Sequence, residues 1–307
     1  MDADRPSGVW LGPLLMCVAS LFFSCLDTGT KYLTAGYPVT QIVWVRYMAQ
    51  ALAVFLIFQP RMGRSLFHAH RYGIQLFRGL CLCCGSVMVI NGLARLPLAE
   101  TTAIVFMAPV IMTLLSGLVL KEKARRLDWV AVACGFAGVL IIARPGGGLL
   151  TWAILFPIGS AVCNACYQLV TRASRSSEHP ATSNLYTGLI GALVLAPWGI
   201  ADWAPMAWTD LTLVIGLGTV AALGHLIMTH ALLHAPATTL GPYGYTQIFW
   251  ATLLGWLAFS NVPDAMTWLG MLIIATGGLL LSSGPLLRHG AAAWRRHVQD
   301  RKSTRLN

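Results

Sequence analysis

Charged side chains are scarce in this sequence. Asp, Glu, Lys and Arg make up 10% of the 307 residues, whereas an average soluble domain contains about 25%. Because 56% of the residues are hydrophobic, a globule of this size has too few polar groups to cover its surface. The composition therefore argues against a soluble enzyme, a secreted disulfide scaffold and a disordered binding protein.

Acidic residues are especially few. The 21 Lys and Arg outnumber the 11 Asp and Glu, and the net charge is +10. In a soluble protein such an excess would indicate nucleic-acid binding. The mean hydropathy of +0.67, together with 30 glycines and 11 tryptophans, instead favours a chain embedded in lipid.

Long polar segments are also missing, because one apolar run follows another. A transmembrane helix needs about 20 mostly apolar residues, and ten runs approach or reach that length: 9–32, 39–58, 74–95, 98–119, 128–143, 151–171, 182–200, 209–233, 236–259 and 266–284. The fifth and seventh runs are short, which leaves nine spans as the alternative count. The alternating pattern of a membrane β-barrel strand does not occur. We predict an all-α polytopic membrane protein with ten transmembrane helices.

The distribution of basic residues predicts the orientation. If the N-terminus is cytoplasmic, 17 of the 21 basic residues, Arg78 among them, flank the spans on the inner side, and three flank them on the outer side. Arg46 is the remaining one and falls inside the second span. Cytoplasmic flanks carry the excess of Lys and Arg in membrane proteins. We therefore predict a multi-pass protein of a bacterial-type inner membrane with both termini in the cytoplasm.

Metal-binding clusters are not evident. The eight cysteines all fall within apolar runs, where Cys behaves as a small packing residue. Cys163 and Cys166 form a CxxC pair without a second pair or clustered His. His230 and His234 are four residues apart, but this pair reaches the inner interface of the membrane. We predict no metal site and no cofactor.

The two halves of the chain correspond when the sequence is shifted by about 138–141 residues; Gly117, for example, aligns with Gly255. Each half contains five predicted spans, so the second half enters the membrane from the opposite face. The pattern predicts two inverted five-helix repeats, at 9–146 and 151–284, followed by a basic cytoplasmic tail at 285–307. Inverted repeats are typical of secondary transporters.

Several short motifs occur in a distinctive order. They are Leu96-Pro97-Leu98-Ala99-Glu100, Pro109, Leu120-Lys121-Glu122, Gly135-Phe136-Ala137-Gly138-Val139-Leu140 and Arg144-Pro145-Gly146, with Pro242, Gly255 and Gly277-Gly278 in the second half. This order resembles the EamA family of the drug/metabolite transporter superfamily, from about residue 10 to residue 284. The resemblance implies a ten-helix 5+5 fold that moves small metabolites. Ser260 departs from the family pattern, because it occupies the position at which the second repeat would carry an acid equivalent to Glu122.

Polar residues inside the predicted spans form the candidate site, because such groups are costly in lipid. Asp27 and Arg46 lie at matching depths, roughly 9 and 10 Å from the outer ends of spans one and two at a rise of about 1.5 Å per residue. Glu100 belongs to the same layer. Asp27 either serves substrate or protons or forms a structural i,i+4 pair with Lys31. Arg46 either binds a substrate carboxylate or phosphate or ties span two to span one.

The second half offers neutral polar groups instead. The segment Gly241–Gln247 contains one proline and two glycines, which either loosen the helix and free backbone groups for a ligand or serve as packing devices. Aromatic rings in this segment favour a planar substrate. The predicted substrate-binding or translocation residues are Asp27, Arg46, Asn91, Glu100, Asn164, Gln168, His225, Tyr243, Tyr245, Gln247 and Trp250.

Three functions are consistent with these features. The first is a secondary transporter of a small organic metabolite (an amino-acid-like, vitamin or nucleoside-like compound) that works by alternating access, with Asp27 or Glu100 as the residue for proton or ion coupling. The second is an exporter of lipophilic cations, and the third is a membrane-embedded enzyme. The sequence contains no Walker-type loop, HExxH or GxSxG motif. We therefore favour the transporter over an enzyme, and the expected partners are a small-molecule substrate, the lipid bilayer, a coupling ion and a second copy of the chain, but not nucleic acid.

Overall fold

The computed structural model describes residues 10–108, 111, 115, 126–143, 152–174, 179–234, 240 and 243–277. Within these residues the regular elements are helices and no strand occurs, so the all-α prediction is confirmed for this part of the chain. Some features that the sequence singled out lie outside the described residues: Pro109, Lys121-Glu122, Arg144-Pro145-Gly146, Gly241-Pro242 and the tail 285–307.

The described residues of the first half include five helices of eight or more residues: α1 (Leu11–Leu33), α2 (Val39–Met62), α3 (Tyr72–Leu93), α4 (Leu98–Val105) and α5 (Arg126–Ala143). A short 3-10 helix, Gly63–Phe67, follows α2. Gly63 ends α2 with a φ of +55°, a left-handed conformation that glycine adopts without steric cost. The chain can therefore turn sharply before α3.

The described residues of the second half include a 3-10 turn, Trp152–Ile154, and five further helices of ten or more residues. These helices are α6 (Leu155–Ser174), α7 (Pro180–Ala201), α8 (Trp208–His234), α9 (Thr246–Phe259) and α10 (Ala265–Gly277). Pro180 opens α7 at a position where the missing N–H is harmless. Ser260 ends α9 in a left-handed conformation with a φ of +56°.

Membrane-spanning length is found in six of the described helical segments. They are Leu11–Leu33, Val39–Phe67, Tyr72–Leu93, Trp152–Thr171, Pro180–Ala201 and Trp208–Ala231. Three shorter apolar helices, Ala133–Ile142, Thr246–Phe259 and Ala265–Gly277, accompany them. The helices thus support a multi-pass membrane protein, while the exact count of ten spans stays a prediction.

Helices from the two halves pack mainly against each other. α1 packs against α8 and α9, α6 against α3 and α4, and α2 against α7 and α8. If α1 to α5 are matched in order with α6 to α10, the α1–α8 contact corresponds to α6–α3, and the α1–α9 contact corresponds to α6–α4. The main contacts of one half therefore recur in the other with the roles exchanged. The core of the bundle lies between the halves rather than within either of them.

Glycines allow α2 to approach α7 and α8 closely. A Cβ atom on Gly188 of α7 would lie 2.9 Å from the backbone nitrogen of Ala51, and one on Gly218 of α8 would lie 2.5 Å from the carbonyl oxygen of Arg46. Small residues at such crossings let helix backbones meet in membranes. This packing fixes the segment of α2 that carries Arg46.

Gly218→Ala is expected to lower the melting temperature, because the added methyl would collide with the Arg46 carbonyl oxygen and the Cβ of Ala49, 2.5 and 2.6 Å away. Overpacking of this kind costs about 1–3 kcal/mol. Gly216→Ala is the control two residues away in the same helix, since a methyl there meets no atom within 4 Å. Thermal unfolding in detergent measures both variants. Equal melting temperatures for the two would contradict this close packing.

Candidate functional site

Asp27 lies where α1 runs along the start of α9. Its Oδ2 accepts a hydrogen bond from Nε2 of Gln247 at 3.3 Å. The hydroxyl of Ser24, one turn before Asp27, donates to the backbone carbonyl of Gln247 at 3.2 Å. The hydroxyl of Ser20, two turns before Asp27, donates to the carbonyl of Gly244 at 3.4 Å. α1 therefore presents a line of polar side chains to the segment in which free backbone groups were predicted.

Arg46 is buried in α2, with 5% of its surface exposed. Its positive charge acts on both Asp27 and His225. The guanidinium carbon lies 5.6 Å from the ring centroid of Tyr47, and Nε has no hydrogen-bond partner. Arg46 thus attracts the carboxylate of Asp27 from a neighbouring helix, while a substrate or proton role for Asp27 stays a prediction.

Lys31 is bound by backbone carbonyl groups of the first half. Its ammonium donates hydrogen bonds to the carbonyl oxygens of Leu93 and Leu96, the latter at 2.7 Å, where α3 ends and α4 begins. It also lies 5.5 Å from the ring centroid of Phe259 at the end of α9. Lys31 therefore anchors α1 to the connection between α3 and α4.

Glu100 lies in the first turn of α4, 7% exposed, and its charge acts on Lys31. It lines a cavity of about 230 Å³ between the start of α4 and the end of α9, with Pro97, Leu98, Ala99, Gly255, Ser260, Asn261, Val262 and Pro263 as the other lining residues. On the predicted orientation, this cavity is at the outer face. The structure thus places Glu100 beside Lys31 and this cavity.

Arg78 is buried in α3, although the charge pattern predicted a cytoplasmic flank position for it. It is 5% exposed, and its Nη2 and Nη1 donate to the hydroxyl of Tyr167 at 3.2 Å and to Oε1 of Gln75 at 3.4 Å. Its charge also acts on His225. A signal for this burial was present, since Arg78 falls inside the predicted span 74–95.

Charge effects and one hydrogen bond thus connect five side chains from five helices, which we call the central polar group: Asp27, Arg46, Arg78, His225 and Gln247. Asp27 and His225 lie deep inside the bundle, yet both keep part of their surface accessible, as does Gln247. Side chains that are enclosed by protein but still accessible are typical of the wall of an internal site. The two arginines and one carboxylate give this group an excess of positive charge.

Amide and hydroxyl side chains extend the polar region toward α7. Nε2 of Gln50 donates to Oδ1 of Asn184 at 2.7 Å, and Nε2 of Gln75 donates to Oγ of Ser183 at 3.1 Å. Gln50 and Gln75 are fully buried and were not among the predicted site residues. Their hydrogen bonds join α2 and α3 to the opposite half of the chain.

Asn91, Asn164 and Gln168 make their hydrogen bonds within their own helices. Asn91 donates to the carbonyl of Val87 at 2.8 Å and accepts from Arg95 at 2.9 Å, near the end of α3. Gln168 donates to Asn164 at 3.0 Å along α6. The structure therefore gives these three residues no hydrogen bond to the central polar group.

The aromatic residues around α9 are partly buried. The ring of Tyr245 lies 5.1 Å from that of Phe106, and the ring of Trp250 lies 5.1 Å from that of Phe249. The hydroxyl of Tyr245 and Nε1 of Trp250 are buried without a hydrogen-bond partner. Tyr243 is half-buried beside them in the chain. These groups leave unused hydrogen-bonding capacity close to Gln247.

Cys81 and Cys84 form a second CxxC pair, so the interpretation of Cys163 and Cys166 as a pair without a second one is wrong. The thiols of the two pairs lie close enough to influence one another, because α3 packs against α6. Within the described residues, however, no group of three or more His, Cys, Asp or Glu has an arrangement suited to a metal ion.

Comparisons with known proteins point to membrane transport. The model of the EamA-like transporter family matches residues 10–144 and again residues 151–283. A riboflavin transporter of Vibrio cholerae serotype O1 is 31% identical over 86% of this chain and 90% of its own length. A pseudopaline exporter of Pseudomonas aeruginosa is 28% identical over 88% and 95%. One solved crystal structure, 16% identical, has a TM-score of 0.63 over 93% of this chain and 99% of its own, which supports the fold alone.

Lys31→Met is expected to lower the melting temperature, because it removes a charged donor from two buried backbone carbonyls. Hydrogen bonds to charged groups contribute about 1.5–3 kcal/mol. Arg64→Gln, at an exposed position after α2, is the control and should leave the melting temperature unchanged. If Lys31→Met melts like the wild type, Lys31 is not an anchor between α1 and α4.

Proposed function

The chain belongs to the EamA-like transporter family, as its motifs predicted, and we propose that it carries a planar, riboflavin-like metabolite across the membrane by alternating access. The observation that carries the proposal is the central polar group, which is buried where the two halves of the bundle meet. Buried polar and charged groups inside a membrane are costly, and in membrane proteins they mark substrate pathways.

The proposed architecture is two inverted five-helix repeats, residues 9–146 and 151–284, with both termini in the cytoplasm. Two observations support it: the family model matches the chain twice, and the main helix contacts recur with the roles of the halves exchanged. In such carriers the substrate binds near the middle of the membrane at the interface of the repeats. The central polar group draws its side chains from α1, α2 and α3 of the first half and from α8 and α9 of the second, which supports a binding site between the repeats.

Polar contacts between the halves are candidates for the outer and inner gates. At the predicted outer face, the hydroxyl of Tyr37 donates to Asp210 at 2.7 Å, and this hydrogen bond raises the pKa of Tyr37. Gln41 donates to the carbonyl of Ala204 at 2.8 Å beside it. At the predicted inner face, the hydroxyl of Tyr186 donates to the carbonyl of Phe67 at 2.8 Å. Rocking of one repeat against the other would break one set while the other holds.

A planar substrate is supported by the aromatic and neutral polar groups of the second half. Tyr243, Tyr245 and Trp250 lie within about one turn of Gln247 along the chain, and the ring of His225 contacts Phe23 at 5.0 Å between centroids. Aromatic rings stack on flat ligands, and amides bind their edges. The riboflavin transporter among the relatives supplies a first compound to test.

The alternative is an exporter of lipophilic cations. Two buried arginines, Arg46 and Arg78, against the single acid Asp27 in the central polar group would repel such a substrate. This charge balance favours the metabolite carrier. Membrane-embedded enzyme chemistry has less support, since the family is one of transporters.

Proteoliposomes that contain the purified chain are expected to exchange riboflavin with saturable kinetics, measured by flavin fluorescence. Arg46→Ala should weaken riboflavin binding about tenfold or more, because it removes a buried charged donor, a loss of about 1.5–3 kcal/mol. Arg64→Gln is the control. Normal affinity in Arg46→Ala would remove Arg46 from the binding site, and accumulation of ethidium in place of riboflavin would favour the cation exporter.

We further propose that Asp27 couples transport to protons. It is the only carboxylate of the central polar group, and the charge of Arg46 on α2 and the amide of Gln247 on α9 act on it. Asp27→Asn should abolish accumulation driven by a pH gradient while exchange between equal pH values continues. Asp202→Asn is the control, because it changes an exposed carboxylate directly after α7 and asparagine can still accept the hydrogen bond from Thr40. A gradient response in Asp27→Asn equal to that of the wild type would show that another residue carries the proton.

A further inference from the structure

Both arginines of the central polar group keep an unused hydrogen-bond donor. Nε of Arg46 and Nε of Arg78 are buried and have no partner. Buried polar groups in native proteins are nearly always hydrogen-bonded, so an unpaired donor on each of two buried guanidinium groups is unusual. Each guanidinium group can therefore still donate to a ligand.

The charge balance of the central polar group also favours a ligand that brings hydrogen-bond acceptors. Arg78 is bound by the neutral side chains of Gln75 and Tyr167, and the Oδ2 atom of Asp27 already accepts from Gln247. One carboxylate therefore stands against two guanidinium groups that are each 5% exposed. A buried cation is costly unless it is paired and hydrogen-bonded. A ligand that brings acceptor atoms would complete the site, whereas a cation would worsen the imbalance.

Arg78 is held in position for such a role. Its guanidinium carbon lies 5.1 Å from the ring centroid of Tyr167, and the hydrogen bonds to Tyr167 and Gln75 fix the two terminal nitrogens. Arg46 and Arg78 lie on different helices, α2 and α3, and the charges of both act on His225 of α8.

Packing against α7 places the two arginines near each other. A Cβ atom on Gly79, next to Arg78, would lie 2.7 Å from Ile190 of α7. A Cβ atom on the adjacent Gly191 would lie 2.6 Å from the ring of Tyr47, next to Arg46. Neighbouring residues of α7 therefore contact the backbone segments that carry the two guanidinium groups.

We propose that Arg46 and Arg78 together bind oxygen acceptors of the substrate, so that the site takes uncharged or anionic compounds with carbonyl or oxyanion groups and rejects cations. Arg78 becomes a substrate-binding residue that the sequence did not reveal. The inference rests on the proposed function, since it names the class of substrate for the same site.

The test measures binding of three planar probes to the full chain in detergent. Riboflavin presents ring carbonyls, riboflavin 5′-phosphate presents the same ring with an added oxyanion, and ethidium is cationic. Arg78→Gln should weaken flavin binding about tenfold or more, while Arg95→Gln, which changes an exposed guanidinium at the end of α3, should not. Equal binding of the two flavins identifies the ring carbonyls as acceptors, and a preference for the phosphate ester identifies the oxyanion. Wild-type flavin affinity in Arg78→Gln, or saturable binding of ethidium, would overturn the proposal.

Melting temperature without ligand separates a binding role from a structural one. Glutamine can still bond to Tyr167 but carries no charge, so Arg78→Gln should melt at the wild-type temperature or above it. A lower melting temperature together with unchanged flavin affinity would mean that Arg78 is only structural.

A wrong substrate and a wrong two-arginine site would give different results. If neither flavin binds to the wild type, the riboflavin-like substrate is wrong, and a panel of metabolite carboxylates and lipophilic cations is tested by thermal shift. Stabilisation of the wild type but not of Arg78→Gln by a carboxylate supports the two-arginine site. Stabilisation by a cation, or by no compound in the panel, overturns it.

Discussion

The central polar group depends on the attraction between the charges of Asp27 and Arg46. A single charge in a membrane interior is costly, and these two residues come from different helices, so each depends on the other being in place. α9 supplies the amide of Gln247 to the carboxylate, and the close approach at Gly218 of α8 fixes the backbone of Arg46. The second half of the chain thus positions the charges of the first half. Movement between the halves would change their surroundings directly.

The helices were predictable because they follow from local composition. The apolar runs at 39–58 and 74–95 became α2 and α3, with ends that differ by four residues or fewer. The contacts of individual side chains were harder to predict from the sequence, because they depend on distant parts of the chain. Lys31 binds carbonyls 62 and 65 residues away, and an interpretation from its own helix could offer only the pair with Asp27.

Arg78 shows a second limit of prediction from the sequence. The count of basic residues that predicts orientation treats any arginine near a span end as a flank, and Arg78 lies about 9 Å from the start of α3 at a rise of about 1.5 Å per residue. Whether such a residue faces water, lipid or protein depends on its neighbours in other helices. Tyr167 of α6 and Ser183 of α7 define the polar surroundings here. Asp27, Gln247 and His225 were predictable because an ionisable or amide group deep in an apolar run is costly in lipid and therefore marks a protein-lined polar site.

A double-mutant cycle measures the coupling between Asp27 and Arg46 most directly. Riboflavin affinity, or affinity for the substrate found in its place, would be measured for the wild type, Asp27→Asn, Arg46→Gln and the double variant. Residues that share one polar network show coupling energies of about 0.5–3 kcal/mol. We expect a coupling in this range, with the double variant binding more tightly than the sum of the single losses implies. Strictly additive losses would show that the two residues act independently and would contradict the account.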